Sequence, residues 1–262
     1  MSPIQGFLPN QQRREEPNLY TERLMLAPDP GPNLTLHERR SLIQEGLGRP
    51  VLRVLQNSTP EPADDLLVVR SNYVPFSGVR RHEALQWQRD GLILFERSQT
   101  WEDSRIPAFD GDGYDGLVER TIRNCLRGAN LLSLLPTTQV VHMQLSIDGL
   151  RGSQLIFNPH RYTDKTVCQS TRPIQRTESV PLSPASRGST IKALRISAWK
   201  LVNEVLNAFR RDDYVEEISQ EELSVIFDAQ ISRLKFSSGL LINTAVTPVQ
   251  MTESTESMGL SG

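Results

Sequence analysis

The sequence predicts an α+β protein: a central, mostly antiparallel sheet with a C-terminal helical hairpin, between disordered N- and C-terminal arms. Three patterns predict it. Val141, Met143, Leu145 and Ile147 alternate with His142, Gln144 and Ser146, the period of a half-buried strand. The runs Ala84–Arg89 and Leu92–Arg97 flank Asp90-Gly91, a pair that supplies the positive φ of a tight hairpin turn. The last third holds two amphipathic stretches, each opened by a helix-capping residue.

Residues 1–33 carry prolines at 3, 9, 17, 28, 30 and 32 and an Arg-Arg-Glu-Glu run at Arg13–Glu16. Apolar residues there show no period, so the segment reads as a disordered Pro-rich arm. An α+β body is expected over 34–170. Thr35 and Glu38 form a capping box for a short helix ending near Gly46. Val51–Gln56 and Leu66–Val74 are rich in Val and Leu and read as strands, the second with an edge open to another chain. After the hairpin, Asp115 caps a helix over Leu117–Leu135. Val118, Ile122, Cys125, Ala129 and Leu132 line one face of it, and Pro136 stops it. Beyond strand 141–147, Asp148-Gly149 turns the chain toward a partner near Gln154–Asn158, and Tyr162–Cys168 adds a further strand.

Residues 171–189 contain three prolines and almost no periodicity, and read as a flexible Ser/Pro linker. Ser189 or Thr190 then caps a helix with Ile191, Leu194, Ala198, Leu201, Val205 and Phe209 on one face. Ser219 and Glu222 make a second capping box, opening a helix with Leu223, Ile226, Phe227, Ile231 and Leu234 on one face. The two form an αα-hairpin. A strand at Leu240–Val246 closes the sheet, so that 190–247 forms one unit before a Ser/Thr/Glu-rich tail at 248–262.

At 262 residues the chain is long enough to bury a core without disulfides or metals. With 37% hydrophobic and 23% charged residues it is neither a disordered polar chain nor a membrane protein. No run approaches the ~18 apolar residues of a membrane span. The N-terminus lacks the apolar region of a secretory signal, and two cysteines, Cys125 and Cys168, fit a reducing compartment. The expected location is cytoplasmic, with virion association open. The net charge is −2, yet 25 arginines stand against four lysines, none of them before Lys165. Leu, Ser and Arg total 82 residues, and each has six codons. That excess fits a reading frame constrained by an overlapping one, as in compact viral genomes.

Gly111-Asp112-Gly113-Tyr114-Asp115-Gly116 formally matches a dinucleotide fingerprint, but Arg105–Asp110 before it contains a proline and no strand-like run. Asp110, Asp112 and Asp115 are the candidate ligands of a hard cation, although the spacing fails the EF-hand pattern. Asp112 and Asp115 equally complement the N-terminal partial charge of the helix that follows. No G-x-S-x-G, H-E-x-x-H, C-x-x-C or P-loop occurs. The four histidines, 37, 82, 142 and 160, are dispersed. A Cys125–His142 pair is the one nucleophile–base combination left open. No cofactor is expected.

Binding has more support than catalysis. Arg176, Ser179 and Pro181 resemble the phosphoserine motif read by 14-3-3-type adaptors, since phosphate on a flexible Ser179 offers charge and acceptors to an arginine cluster. Arginine pairs at Arg39-Arg40, Arg80-Arg81 and Arg210-Arg211 are candidate RNA contacts, although acidic residues outnumber basic ones, 31 to 29. The expected function is a non-catalytic interaction or assembly protein of viral type: capsid, matrix, movement or host suppression. Its expected partners are further copies of itself and other proteins. RNA binding through the arginine clusters and a metal-dependent enzyme built on the 110–116 loop are the alternatives.

Overall fold

The computed structural model describes residues 19–47, 61–63, 66–73, 81–100, 105–107, 116–151, 153–156, 166–167, 173–182, 186–209, 219–236 and 238–241. In chain order the elements are β1 (Leu19–Asp29), α1 (Leu36–Gly46), β2 (Glu61–Ala63), β3 (Leu66–Tyr73), β4 (Arg81–Gln88), β5 (Ile93–Thr100) and β6 (Arg105–Pro107). There follow α2 (Leu117–Leu132), β7 (Val140–Asp148), β8 (Gln154–Ile156), β9 (Thr166–Val167), β10 (Ile174–Pro181), α3 (Arg187–Asn207) and α4 (Gln220–Leu234). Among the described residues, seven strands form one sheet in the order β10-β7-β1-β5-β4-β3-β2, and every neighbouring pair in it is antiparallel. The expected α+β class and antiparallel sheet are therefore present.

The β4–β5 hairpin forms as the Asp-Gly signal requires. Gln88 N–H donates to Leu92 O at 2.8 Å and Gly91 N–H to Gln88 O at 3.1 Å. Gly91 has φ +90, and a Cβ there would stand 2.7 Å from Pro28 and Pro32, so the turn needs glycine for conformation and for space. β7 alternates buried and half-buried residues along its length. One side of the sheet, with Leu24, Leu26, Leu85, Trp87, Phe95, Met143 and Leu145, joins the helices in a single core that extends to Leu241. Met25, Ala27, Leu92 and Leu94 form a small separate cluster on the other side.

Several expectations change. Residues 19–29 are not part of an arm: β1 lies between β5 and β7 in the middle of the sheet. Its prolines, Pro28 and Pro30, fall only at its end, and its period-two pattern is masked because inward positions include Tyr20 and Glu22. Residues 171–189 are not a flexible linker, since β10 pairs with β7 from Ile174 to Pro181 and α3 starts at Arg187. β3 is covered on its outer side over part of its length, where β2 pairs with Leu66–Val68. β8 pairs with β6 and β9 in a separate three-stranded sheet and not with β7. Leu240 and Leu241 sit in a turn. The strand expected at Val51–Gln56 and the rest of that at Leu240–Val246 lie outside the described residues, as do 1–18 and 248–262.

The helices pack on one side of the sheet. α2 crosses β1 and contacts α1, α3 and α4; α3 covers β10, and α1 meets β3. α2 is therefore buried nearly all round, Arg120, Arg123 and Arg127 included, whereas its sequence predicts a single apolar face. Its N-cap is Gly116 with no side-chain cap bond, in place of the expected Asp115. Both capping boxes form with their reciprocal bonds, at Thr35/Glu38 and at Ser219/Glu222.

Candidate functional site

The helix-facing side of the sheet is apolar along most of its length and charged at one end. There, cross-strand register places Glu83 of β4 opposite Arg97 of β5, and Arg97 opposite Glu22 of β1. Arg97 donates to Glu83 Oε1 at 3.2 Å and to Gln99 Oε1 at 3.0 Å. Arg120 reaches down from α2 and donates through Nε and Nη2 to Glu22 Oε2, both at 2.9 Å. Tyr20 O–H donates to the same oxygen at 2.9 Å. Burial, and next the Glu22 carboxylate, push the Tyr20 phenol above its usual value.

Between this end of β4–β5 and α2 lies a small open cleft. Arg120, Arg123 and Arg127 recur at i, i+3 and i+7 along α2, which brings them to one side of the helix. With Asn124 and Arg97 they line the cleft, over a floor that includes Leu85 and Phe95. Arg127 Nε donates to the Leu47 carbonyl at 3.2 Å, which ties that side chain to the end of α1. Four guanidinium groups against Glu83 and Glu96 give the lining a positive excess. Planar guanidinium groups with fixed donors, held in a partly desolvated cleft, suit a phosphate or carboxylate. The sequence reading missed this site. Its signal was the three- and four-residue spacing of arginines opposite the apolar stripe of α2.

The residues singled out in sequence fall elsewhere. Arg39 is buried; it donates to Trp87 O at 2.6 Å and to Thr35 O at 3.4 Å. It is thus a structural clamp between α1 and β4, not a contact for RNA. Arg40 is exposed on α1, Arg81 begins β4, and Arg80, Arg210 and Arg211 lie outside the described residues. So do Asp110, Asp112 and Asp115. Among the described residues no group of three His, Cys, Asp or Glu side chains could hold a metal ion.

Ser179 is exposed, but it is fixed in β10 with its Oγ 2.8 Å from His142 Nδ1. Arg176 pairs with Glu178 at 2.8 Å and with Glu204 at 3.5 Å, and Pro181 ends the strand. An adaptor that grips this motif as an extended peptide would have to peel β10 from β7. His142 Nε2 also stands 3.7 Å from Asp29 Oδ2, which places serine, histidine and aspartate in line across three strands. At 3.7 Å the second link is too long for a hydrogen bond, and Ser179 and Asp29 are exposed. The Ser179–His142 bond ties β10 to β7. Cys125 lies on the helix side of the sheet and His142 on the other, so they do not meet; burial pushes the Cys125 thiol up to about 12.

No protein family, curated protein or solved structure gives a significant match to this chain. Fold and site together describe an α+β protein with an antiparallel sheet, helices on one side and an arginine-lined cleft. Among the described residues no helix is long and apolar enough to cross a membrane.

Proposed function

We propose that this chain is a non-catalytic interaction and assembly protein that holds an anionic group of a protein partner in the cleft between α2 and the β4–β5 hairpin. The observation that carries the reading is the cluster of Arg97, Arg120, Arg123 and Arg127 around one opening. The arginine-heavy, lysine-poor composition supports placing it among viral assembly proteins.

RNA binding is the second reading, and the same arginines favour it, since guanidinium groups grip phosphodiester oxygens. It rests on the cleft alone: no Phe, Tyr or Trp occupies an open-side position in β1, β5, β7 or β10, so these strands offer no stacking platform there. Fluorescence anisotropy with a labelled acidic peptide and a labelled single-stranded RNA tests both. Peptide binding that weakens with salt and is lost in a folded Arg123→Gln variant supports the first reading. RNA binding with the same two dependences favours the second. Failure of both probes to bind sinks the cleft as a functional site.

A further inference from the structure

We propose that two copies of this chain pair edge to edge through β10, antiparallel, in one register centred on Thr177. The proposal deepens the assembly reading without using the cleft.

Among the described residues, β10 is the outermost strand on its side of the sheet. Which of its backbone groups face outward follows from two hydrogen bonds. Leu182 N–H donates to Gln139 O at 2.7 Å, and Gln88 N–H to Leu92 O at 2.8 Å. In an antiparallel ladder alternate residues point their N–H and C=O to the same neighbour. Carried across the unbroken registers of β4, β5, β1, β7 and β10, both bonds give the same answer. Ile174, Arg176, Glu178 and Val180 turn their backbone groups to β7, and Gln175, Thr177 and Ser179 turn theirs to the free edge.

The outward positions just beyond these are Pro173 and Pro181, four residues on either side of Thr177. Proline has no N–H, so the edge is a window of three amides closed symmetrically at both ends. A two-fold axis at Thr177 sets Thr177 against its own copy, Gln175 against Ser179, and proline against proline where the ladder stops. Six backbone hydrogen bonds form. On the helix side the same register sets Ile174 against Val180 and Arg176 against Glu178. Shifting the axis by one residue in either direction sets Arg176 against Arg176 or Glu178 against Glu178. All three registers satisfy the three outward N–H groups, because Pro173 and Pro181 still offer carbonyls, but only the Thr177 register joins opposite charges. Prolines and charges commonly guard an edge against pairing; here the prolines bound the ladder and the charges favour one register.

The axis runs perpendicular to the sheet, so both helix layers lie on the same side. Lys200 and Glu204 of α3, which contact Glu178 and Arg176 at 3.1 and 3.5 Å, then flank the axis from both copies.

Light scattering coupled to gel filtration on the full chain tests the proposal. The expected mass is twice the 29.6 kDa of one chain. Thr177→Pro removes the central outward amide without touching a bond to β7, and is expected to give a folded monomer by circular dichroism. A second test is independent of any effect on folding of the single strand. Arg176→Glu alone and Glu178→Arg alone each set like charges across the axis and are expected to be monomeric. Mixed in equal amounts they restore both opposite-charge pairs and are expected to dimerise. A monomeric wild type, an oligomer that survives Thr177→Pro, or a mixture that stays monomeric beside a dimeric wild type overturns the proposal. Arg123→Gln is expected to dimerise like wild type, so loss of the cleft reading and loss of this one are read separately.

Discussion

Arg120 donates from Nε and Nη2 to a single oxygen of Glu22, both at 2.9 Å, with the two side chains 5% and 3% exposed. The pair joins α2 to the central strand across a separation of 98 residues. A buried ion pair gains little over a well-packed apolar pair, because both ions lose hydration; breaking it from one side leaves an uncompensated charge. Glu22→Gln is therefore expected to lower stability by about 3–5 kcal/mol, and Glu22→Gln combined with Arg120→Met by clearly less than the two single losses added. Urea denaturation of the four proteins in the cycle measures this. Additive losses would show that the two side chains act independently.

The pH response follows from the groups beside that pair. The Cys125 thiol, ordinarily near 9.0, is pushed up to about 12 by burial and secondarily by Glu22. Tyr20 is raised from its ordinary 10.0, again by burial first. Between about pH 9 and pH 12 the unfolded thiol has lost its proton and the folded one keeps it, so the native state binds more protons and stability falls as pH rises. The urea midpoint is expected to decline from about pH 9 upward, with Tyr20 extending the decline above its ordinary value. Cys125→Ala is expected to flatten the first part of that slope. A midpoint independent of alkaline pH in the wild type would contradict the burial of both groups. On the acid side, Glu38 is held below its ordinary 4.5 by the backbone N–H and then the hydroxyl of Thr35. Its contribution is present above that value and is lost as pH falls below it.

What the sequence made legible was local. Both capping boxes, the Asp90-Gly91 turn and the alternation in β7 depend on residues within a few positions of one another, and each forms as expected. β1 was hidden because inward positions carry Tyr20 and Glu22, whose partner Arg120 lies far along the chain. β10 was hidden because its prolines point to the free edge, where a strand tolerates them but where they resemble a linker in sequence. The cleft was half legible: the spacing of Arg120, Arg123 and Arg127 was visible, but not the packing of α2 against β1 and the β4–β5 hairpin, which brings that polar stripe over the end of the sheet.

Asn130 is a second polar joint in α2. Its Nδ2 donates to Gly46 O and Ser238 O, and its Oδ1 accepts from Leu241 N–H, all at 2.9 Å. One fully buried amide thus ties the end of α1 and the 238–241 turn to the central helix. Asn130→Asp replaces the donor with an oxygen facing two carbonyls, and is expected to destabilise by about 3 kcal/mol or more. Hydrogen exchange at Leu241 and in the last turn of α1 is expected to accelerate before the rest of the core. Unchanged protection at both places would show that this joint contributes nothing to holding them.

Two glycines in helices separate packing from propensity. A glycine inside a helix costs about 0.5–1 kcal/mol relative to alanine when nothing else intervenes. At Gly188, in the first turn of α3, an added Cβ meets nothing within 4 Å, so Gly188→Ala is expected to stabilise by roughly that amount. At Gly128 the added Cβ would overlap both δ-methyls of Leu26, where α2 crosses β1. Leu26 is itself fully buried, so it withdraws only by pressing on its own core neighbours. Gly128→Ala is therefore expected to destabilise by about 1–3 kcal/mol despite its better propensity, and trimming the partner in Gly128→Ala/Leu26→Val to recover part of that loss. Thermal unfolding of the four proteins decides it. If Gly128→Ala stabilises as Gly188→Ala does, α2 does not approach β1 as closely as this packing requires.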